Sequence, residues 1–223
     1  MNIIIDSNAK NSGLIVGHLI IEGIVNKKNR NSRMEKIVSA LEKDVKENPN
    51  KFLGITELKS YKEFINSSES AIESKEPGPV ILINLILKNG RLPTISRVVD
   101  CMNIVSIKTG LTFSIWDKDK IKQAIVYRLS EGGEKYCPFM GEEVQLLEGE
   151  LAAFDDEKVL CLVRYRDSKY APVTLKTKNI VVHIQGVNGI GEDAIKNALD
   201  EIEKLLLENA NGQTIEKRLI KNN

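Results

Sequence analysis

The feature that most constrains this 223-residue chain is a change of periodicity at Gly110. Before it, Ile95, Val98, Val99, Met102 and Val105 recur at helical spacing, which predicts a helix over Thr94 to Lys108 with these residues as its core stripe. After it, Thr112 to Trp116 alternates, with Phe113 and Ile115 on one face and Thr112, Ser114 and Trp116 on the other, the pattern of a strand. Further strands are expected over Lys122 to Leu129, Val144 to Leu147, Leu151 to Phe154, Lys158 to Arg166 and Asn179 to Gln185. Gly132-Gly133, Gly141, Gly149 and Asp155-Asp156 supply the turns. Helices kept apart from a run of short strands predict an α+β fold, a mostly antiparallel mixed sheet with flanking helices.

Upstream, Asn2 to Ile5 and Leu14 to Val25 read as β-branched strands joined by a polar turn at Asp6 to Gly13. Ser32-Arg-Met-Glu35 reads as a capping box opening a helix whose apolar face is Met34, Ile37, Val38, Leu41 and Val45, stopped by Asn48-Pro49-Asn50. A second helix is expected after Thr56, and the polar run Asn66 to Glu76 as a linker. Val80 to Leu87 is apolar almost all round. Pro79 before it and Gly90 after it favour a buried helix over a buried strand. At the C-terminus, Ile195, Ala198, Leu199, Ile202, Leu205 and Leu206 define an amphipathic helix, and Asn211-Gly212 turns into a last edge strand, Thr214 to Ile220.

A net charge of +1 gives no global basic field, so any nucleic-acid contact must come from a local patch. Cys101, Cys137 and Cys161 share no Cys-x-x-Cys spacing and lie in or beside apolar runs, which predicts buried, reduced thiols and no zinc site. The first ten residues lack a basic segment before an apolar core, and the longest apolar run is far short of a bilayer span, so the expected location is cytoplasmic.

No standard catalytic cluster is visible. His18, among Val16, Leu19 and Ile20, reads as a core or edge histidine rather than a base. Gly186-Val-Asn-Gly189-Ile-Gly191 fits neither the dinucleotide nor the Walker spacing and reads as a strand-to-helix loop. Arg164-Tyr165-Arg166-Asp167-Ser168 gathers two guanidinium groups, a ring and a carboxylate at a strand end, a set able to grip phosphate and stack on a base or simply to pair its own charges. Ser96, Asp100 and Asn103 share a second helix face. Asp100 and Asn103 could face solvent, hold a polar ligand group or brace a neighbouring loop.

These residues carry a resemblance. Val98-Val-Asp100-Cys-Met-Asn103, then Gly110, then Trp116-Asp117 with its Lys-Asp-Lys-Ile tail, then Val126-Tyr-Arg128-Leu, resembles the B3/4 module of the phenylalanyl-tRNA synthetase beta chain. The turn at Gly132-Gly133-Glu134, the acidic turn at Asp155 and the segment Thr177 to His183 follow in the same order, so the likeness covers about Pro77 to Val187. Arg164 to Ser168, with Thr174 and Thr177, is similar to the free-standing members of that family.

The resemblance implies a B3/4-like domain over 77–223, ending in the helix and edge strand, preceded by an extension over 1–76 in one compact unit. In the synthetase this module edits, hydrolysing tyrosine mischarged onto the phenylalanine tRNA. The resemblance thus implies an aminoacyl-tRNA deacylase acting in trans on a tRNA ester, without metal or cofactor, membrane or DNA. The alternative is an RNA-binding accessory protein that keeps the fold without the chemistry, and a weaker one is a binder of free amino acids. Asp100, Asn103, Thr112, Ser114, Arg164 and His183 become candidates for the substrate pocket, and Arg128, Tyr165, Arg166, Asp167, Ser168 and Thr174 for tRNA contact. Ser114 stands where the synthetase has a histidine, and His183 where it has the acidic reader of the tyrosine hydroxyl. That points to a different amino acid.

Overall fold

A computed structural model describes residues 1–67, 69–73 and 76–221, with the side chain of Lys10 left aside. The chain forms six α-helices and ten strands among these residues, an α+β architecture as expected. The strands divide into two four-stranded sheets and one small pair. The first sheet runs β1 (Ile3–Ile5), β4 (Ile125–Leu129), β7 (Leu151–Phe154), β8 (Val159–Leu162). The second runs β10 (Gln213–Lys221), β2 (Ile15–Glu22), β9 (Ile180–Gly186), β3 (Phe113–Asp117). Pairing is antiparallel except between β1 and β4. β5 (Lys135–Tyr136) and β6 (Val144–Gln145) make the small pair.

The first 76 residues supply β1 to one sheet and β2 to the other, where β2 lies between β9 and β10. A short 3-10 helix, Ser7–Ser12, joins them in place of a simple turn. β2 is buried from Val16 to Ile21, so both of its faces are covered, which explains a run that is apolar except at His18. On one face lie the helices. A Cβ added to Gly17 would come within 2.6 Å of Ile195 Cγ2, and one added to Gly186 within 2.5 Å of Ile195 Cδ1. These two glycines let α6 (Glu192–Ala210) press directly onto β2 and β9. On the other face lies the first sheet: Tyr127 of β4 bonds His183 of β9, and Cys161 of β8 meets Gln185.

The helices mostly sit where periodicity puts them, with informative shifts. α1 (Ser32–Glu47) is capped by Asn31 rather than Ser32. Asn31 Oδ1 accepts from Met34 N at 2.8 Å while its amide donates to Asn209 of α6 at 3.0 Å, a tertiary bond that Ser32 has no reach to copy. Pro49 does not simply stop the chain; it opens a short α2 (Pro49–Leu53). α3 (Thr56–Asn66) follows, and the polar connection expected over 66–76 falls partly outside the described residues.

α4 (Gly78–Asn89) carries Pro79 in its first turn and ends at Gly90 with φ +77°. It is not buried all round: Val80, Ile83 and Ile86 face the core, while Ile81 and Leu87 are exposed. α5 (Arg97–Thr109) begins later than its apolar pattern because Ser96 is the cap, its hydroxyl accepting from Val99 N. Its core side is Val98, Cys101, Ile104 and Val105. The expected stripe is therefore corrected by a rotation that leaves Ile95 exposed and Val99 and Met102 half-buried. β8 stops at Leu162 rather than Arg166, because Tyr165 N turns back onto Leu162 O at 2.8 Å.

Candidate functional site

Where α5 turns away from the core, a groove of about 480 Å3 opens between α3, α4 and α5 on one side and β3, β9 and the 163–168 turn on the other. That volume lies within the usual range for small-molecule sites, about 300–1,000 Å3. Its walls are apolar, formed by Ile81, Ile95, Val99, Met102, Phe139 and Met140. Four of these, Ile81, Ile95, Val99 and Met102, fall in the runs expected to fill the core, yet Ile81 and Ile95, like Phe139 and Met140, are between 44% and 67% exposed. Large apolar side chains left in water around a concavity mark a surface meant to be covered.

The floor is polar. Thr112, Ser114 and Gln185 come from β3 and β9, Asn103 and Ser106 from α5, and Asp167 from the turn. Antiparallel pairing and the alternation of β3 put Ser114 and Trp116 on the face toward the first sheet, together with His183 and Gln185. Tyr61 of α3 fixes this corner: its hydroxyl donates to Gln185 O at 2.6 Å and accepts from Thr112 N at 3.2 Å. Gln185 Nε2 in turn donates to Ser114 Oγ at 2.7 Å.

Asp167 is the chemically unusual member. Its Oδ2 accepts from Ile115 N at 3.3 Å, but its buried Oδ1 has no hydrogen-bond partner. Burial pushes the carboxyl up to about 7, with the Ser114 hydroxyl, the Ile115 amide and the Trp116 indole pulling only partly against it. A carboxylate poised near neutrality in an apolar concavity is suited to exchanging a proton at physiological pH. Sequence reasoning placed Asp167 with the RNA contacts. The turn that ends β8 at Leu162 is what folds it back onto the β3 edge, where Cys161 bridges to it across the turn.

The arginines at the mouth differ from one another. Arg164 reaches the end of α3, donating to Ile65 O and, at 3.0 Å, to Glu69 O. Arg166 stacks its guanidinium 4.2 Å above the Tyr165 ring. Both line the groove, as does Ser168.

Of the twelve candidate residues, the structure thus brings Asn103, Thr112, Ser114, Arg164, Tyr165, Arg166, Asp167 and Ser168 to one concavity. Four lie elsewhere. Asp100 does not line the groove beside Asn103 but is buried in an ion pair with Arg30 at 2.6 Å, where it also accepts from Ile95 N. His183 is completely buried behind the floor, between His18 and Tyr127. Arg128 is held by Glu134 at 2.8 Å and lies over Phe154. Thr174 belongs to a turn closed by Thr177, whose hydroxyl donates to Asp117 at 2.7 Å. The three cysteines are free and buried. Burial raises Cys161, which leaves that thiol an unreactive part of the wall. No helix among the described residues is long and apolar enough to cross a membrane.

The family model of the B3/4 domain matches residues 61–211, more than half of the chain. The chain belongs to the B3/4 domain family. The match starts within α3 and ends just past α6, so β3, β9 and the whole groove floor lie inside it, whereas β1, β2 and β10 lie outside. Among curated relatives, the phenylalanine–tRNA ligase beta subunit of Hahella chejuensis is 28% identical over 109 residues, 49% of this chain and 14% of that subunit. The corresponding subunit of Streptococcus thermophilus is 26% identical over 168 residues, 65% of this chain and 21% of that one. The matched region is thus a small part of these longer relatives. Among solved structures, an N-terminal fragment of the phenylalanyl-tRNA synthetase beta subunit from Pyrococcus horikoshii superposes with a TM-score of 0.53 at 15% identity. It covers 99% of this chain and 54% of that fragment, a likeness of fold that includes the strands outside the family match.

Proposed function

We propose that this B3/4 domain protein is a trans-acting aminoacyl-tRNA deacylase that hydrolyses the ester of a mischarged tRNA in the cytoplasm. The observation that carries this reading is the near-neutral carboxyl of Asp167, one oxygen of which has no hydrogen-bond partner, in the floor of an apolar groove flanked by Arg164 and Arg166. Kinship with the tRNA ligase beta subunits supports tRNA as the partner. The free cysteines suit a reducing compartment.

In this reading the aminoacyl side chain lies along Val99, Met102 and Ile81, and Arg166 and Tyr165 take the phosphate and base of the terminal nucleotide. Asp167 accepts a proton from a water molecule as its oxygen attacks the ester carbon. The bond from that carbon to the ribose oxygen then breaks, and the proton passes to the departing ribose hydroxyl. Ser114 supplies a hydroxyl beside the carbonyl oxygen as negative charge develops there. Neither histidine reaches the groove, which supports assigning the base to Asp167.

Incubating the protein with a panel of mischarged tRNAs tests the proposal. Amino-acid release above buffer for at least one noncognate pair, lost in Asp167→Asn, is the expected result. Salt-dependent tRNA binding without release from any pair would replace it with the second reading, a non-catalytic accessory protein. Ser114, at the position where the synthetase module has a histidine, favours that alternative.

A further inference from the structure

Behind the groove floor runs a line of polar groups that crosses from the open edge of one sheet into the other, buried at every member except Glu216. Glu216 Oε2, on edge strand β10, stands 3.5 Å from His18 Nε2 on β2, an electrostatic contact rather than a hydrogen bond. His18 Nδ1 is 2.8 Å from His183 Nε2 on β9, and His183 Nδ1 is 2.8 Å from the Tyr127 hydroxyl on β4. That hydroxyl is 3.2 Å from Gln185 Nε2, which donates to Ser114 Oγ at 2.7 Å. Both histidines and Tyr127 are fully buried, so no water is available to mend a mismatch.

Each ring nitrogen and hydroxyl in such a line must be a donor toward one neighbour and an acceptor toward the other, leaving two self-consistent directions. In one, the Gln185 amide donates to both Tyr127 and Ser114, Tyr127 donates to His183 Nδ1, His183 Nε2–H donates to His18 Nδ1, and His18 Nε2–H points at Glu216. In the other, the Gln185 amide is flipped, both hydroxyls donate to its oxygen, and every hydrogen shifts so that His18 Nε2 presents a lone pair to Glu216. The second direction sets two acceptors face to face, with the ring nitrogen of His18 buried and the Glu216 carboxylate only partly exposed. Arg218 Nε at 2.7 Å and the N-terminal ammonium at 3.4 Å hold Glu216 ionised. Burial keeps both rings neutral, lowering His18 to about 4 and His183 well below its ordinary range, and keeps the Tyr127 hydroxyl protonated.

The geometry points to Glu216 and His18 as positioning residues that set, from the far edge of the sheet, the hydrogen-bond polarity of the groove floor. With the first direction enforced, Ser114 Oγ accepts from Gln185 and its own hydrogen is the one left over. Ser114 is therefore a donor to whatever fills the groove, with the Asp167 carboxylate competing for the same hydrogen when no ligand is present. The consequence for ester hydrolysis rests on the function proposed above. The polarity itself does not.

Because the chain has only two histidines, ring nitrogen-15 spectra of the full-length protein at neutral pH resolve the question without ambiguity. Both rings are expected to be neutral, with hydrogen on Nε2 and a bare Nδ1. In Glu216→Gln, which alters one partly exposed edge residue, hydrogen is expected to spread over both nitrogens of each ring. A wild-type ring carrying hydrogen on Nδ1, an imidazolium, or an unchanged spectrum in the variant would overturn the assignment. Absence of ester release by the wild-type protein would instead count against the deacylase and leave the tautomers as measured.

Discussion

Two of the aspartates drawn away from water, Asp100 fully and Asp167 in part, are treated differently. Asp100, at the start of α5, is met on both oxygens: Arg30 Nε donates to Oδ2 at 2.6 Å and Ile95 N to Oδ1 at 3.0 Å, while Arg30 also grips the carbonyls of Leu92 and Pro93. Asp167, on the turn after β8, has one amide at 3.3 Å and an oxygen with no partner. The first arrangement is closed: both carboxylate oxygens have donors, and the ion pair fastens the 91–97 connection to the segment before α1. The second is open, and an open buried carboxylate is costly to keep unless something other than stability maintains it. The same residue type thus braces in one place and is left partly unpaired at the groove in the other.

The comparison is most forcefully tested at the closed site. Arg30→Ala leaves Asp100 buried without its counterion and is expected to cost about 3–5 kcal/mol in chemical denaturation. A loss below about 1 kcal/mol would mean that the pair is no brace. Asp167→Asn should act in the opposite direction. An unfolded carboxyl ionises near 3.8 and the folded one near 7, so between these values the folded protein holds the extra proton. The group therefore favours folding at acid pH, and that contribution disappears as pH rises from about 4 to 7. The variant is expected to be more stable than wild type at pH 8, by at most about 4 kcal/mol, with the gap closing toward pH 4. Melting curves across that range check both sign and window; a variant less stable at pH 8 would show that Asp167 is paired after all.

Smaller effects sharpen the boundary between the two regions. Tyr61→Phe removes the bond that ties α3 to the ends of β3 and β9 and is expected to cost about 1–2 kcal/mol, measured by urea unfolding. Arg166→Ala should change stability by less than about 0.5 kcal/mol. If Arg166 meets a phosphate, that variant lowers the salt-dependence slope of tRNA binding by about one, readable by titration at several ionic strengths.

Much of the framework was legible in the chain itself. The swap of period at Gly110, the Pro79 and Gly90 punctuation around α4, and the alternation through Ser114 and Val182 all reappear in the structure, because local sterics and face-burial act over a few residues. The order of motifs from Val98 to His183 was enough to name the family that the match over 61–211 shows. What could not be read was direction. The apolar residues of α4 and α5 look alike in sequence, yet Val98 packs inward while Ile95 and Ile81 stand in water, a distinction that depends on which neighbours are present.

The functional residues divide along the same line. Residue type and spacing alone determined that Ser114 and Thr112 lie beside a strand face and that Arg164 to Ser168 gather at a strand end. Tertiary structure alone decided that the strand ends early, that Asp167 is turned into the groove while Asp100 is locked to Arg30, and that His183 lies behind the floor in contact with His18, 165 residues away along the chain. The physical reason is the range of the forces. Periodicity and capping are settled within a turn or a strand, whereas the partner a buried charge or ring nitrogen finds depends on which distant element the packing brings against it.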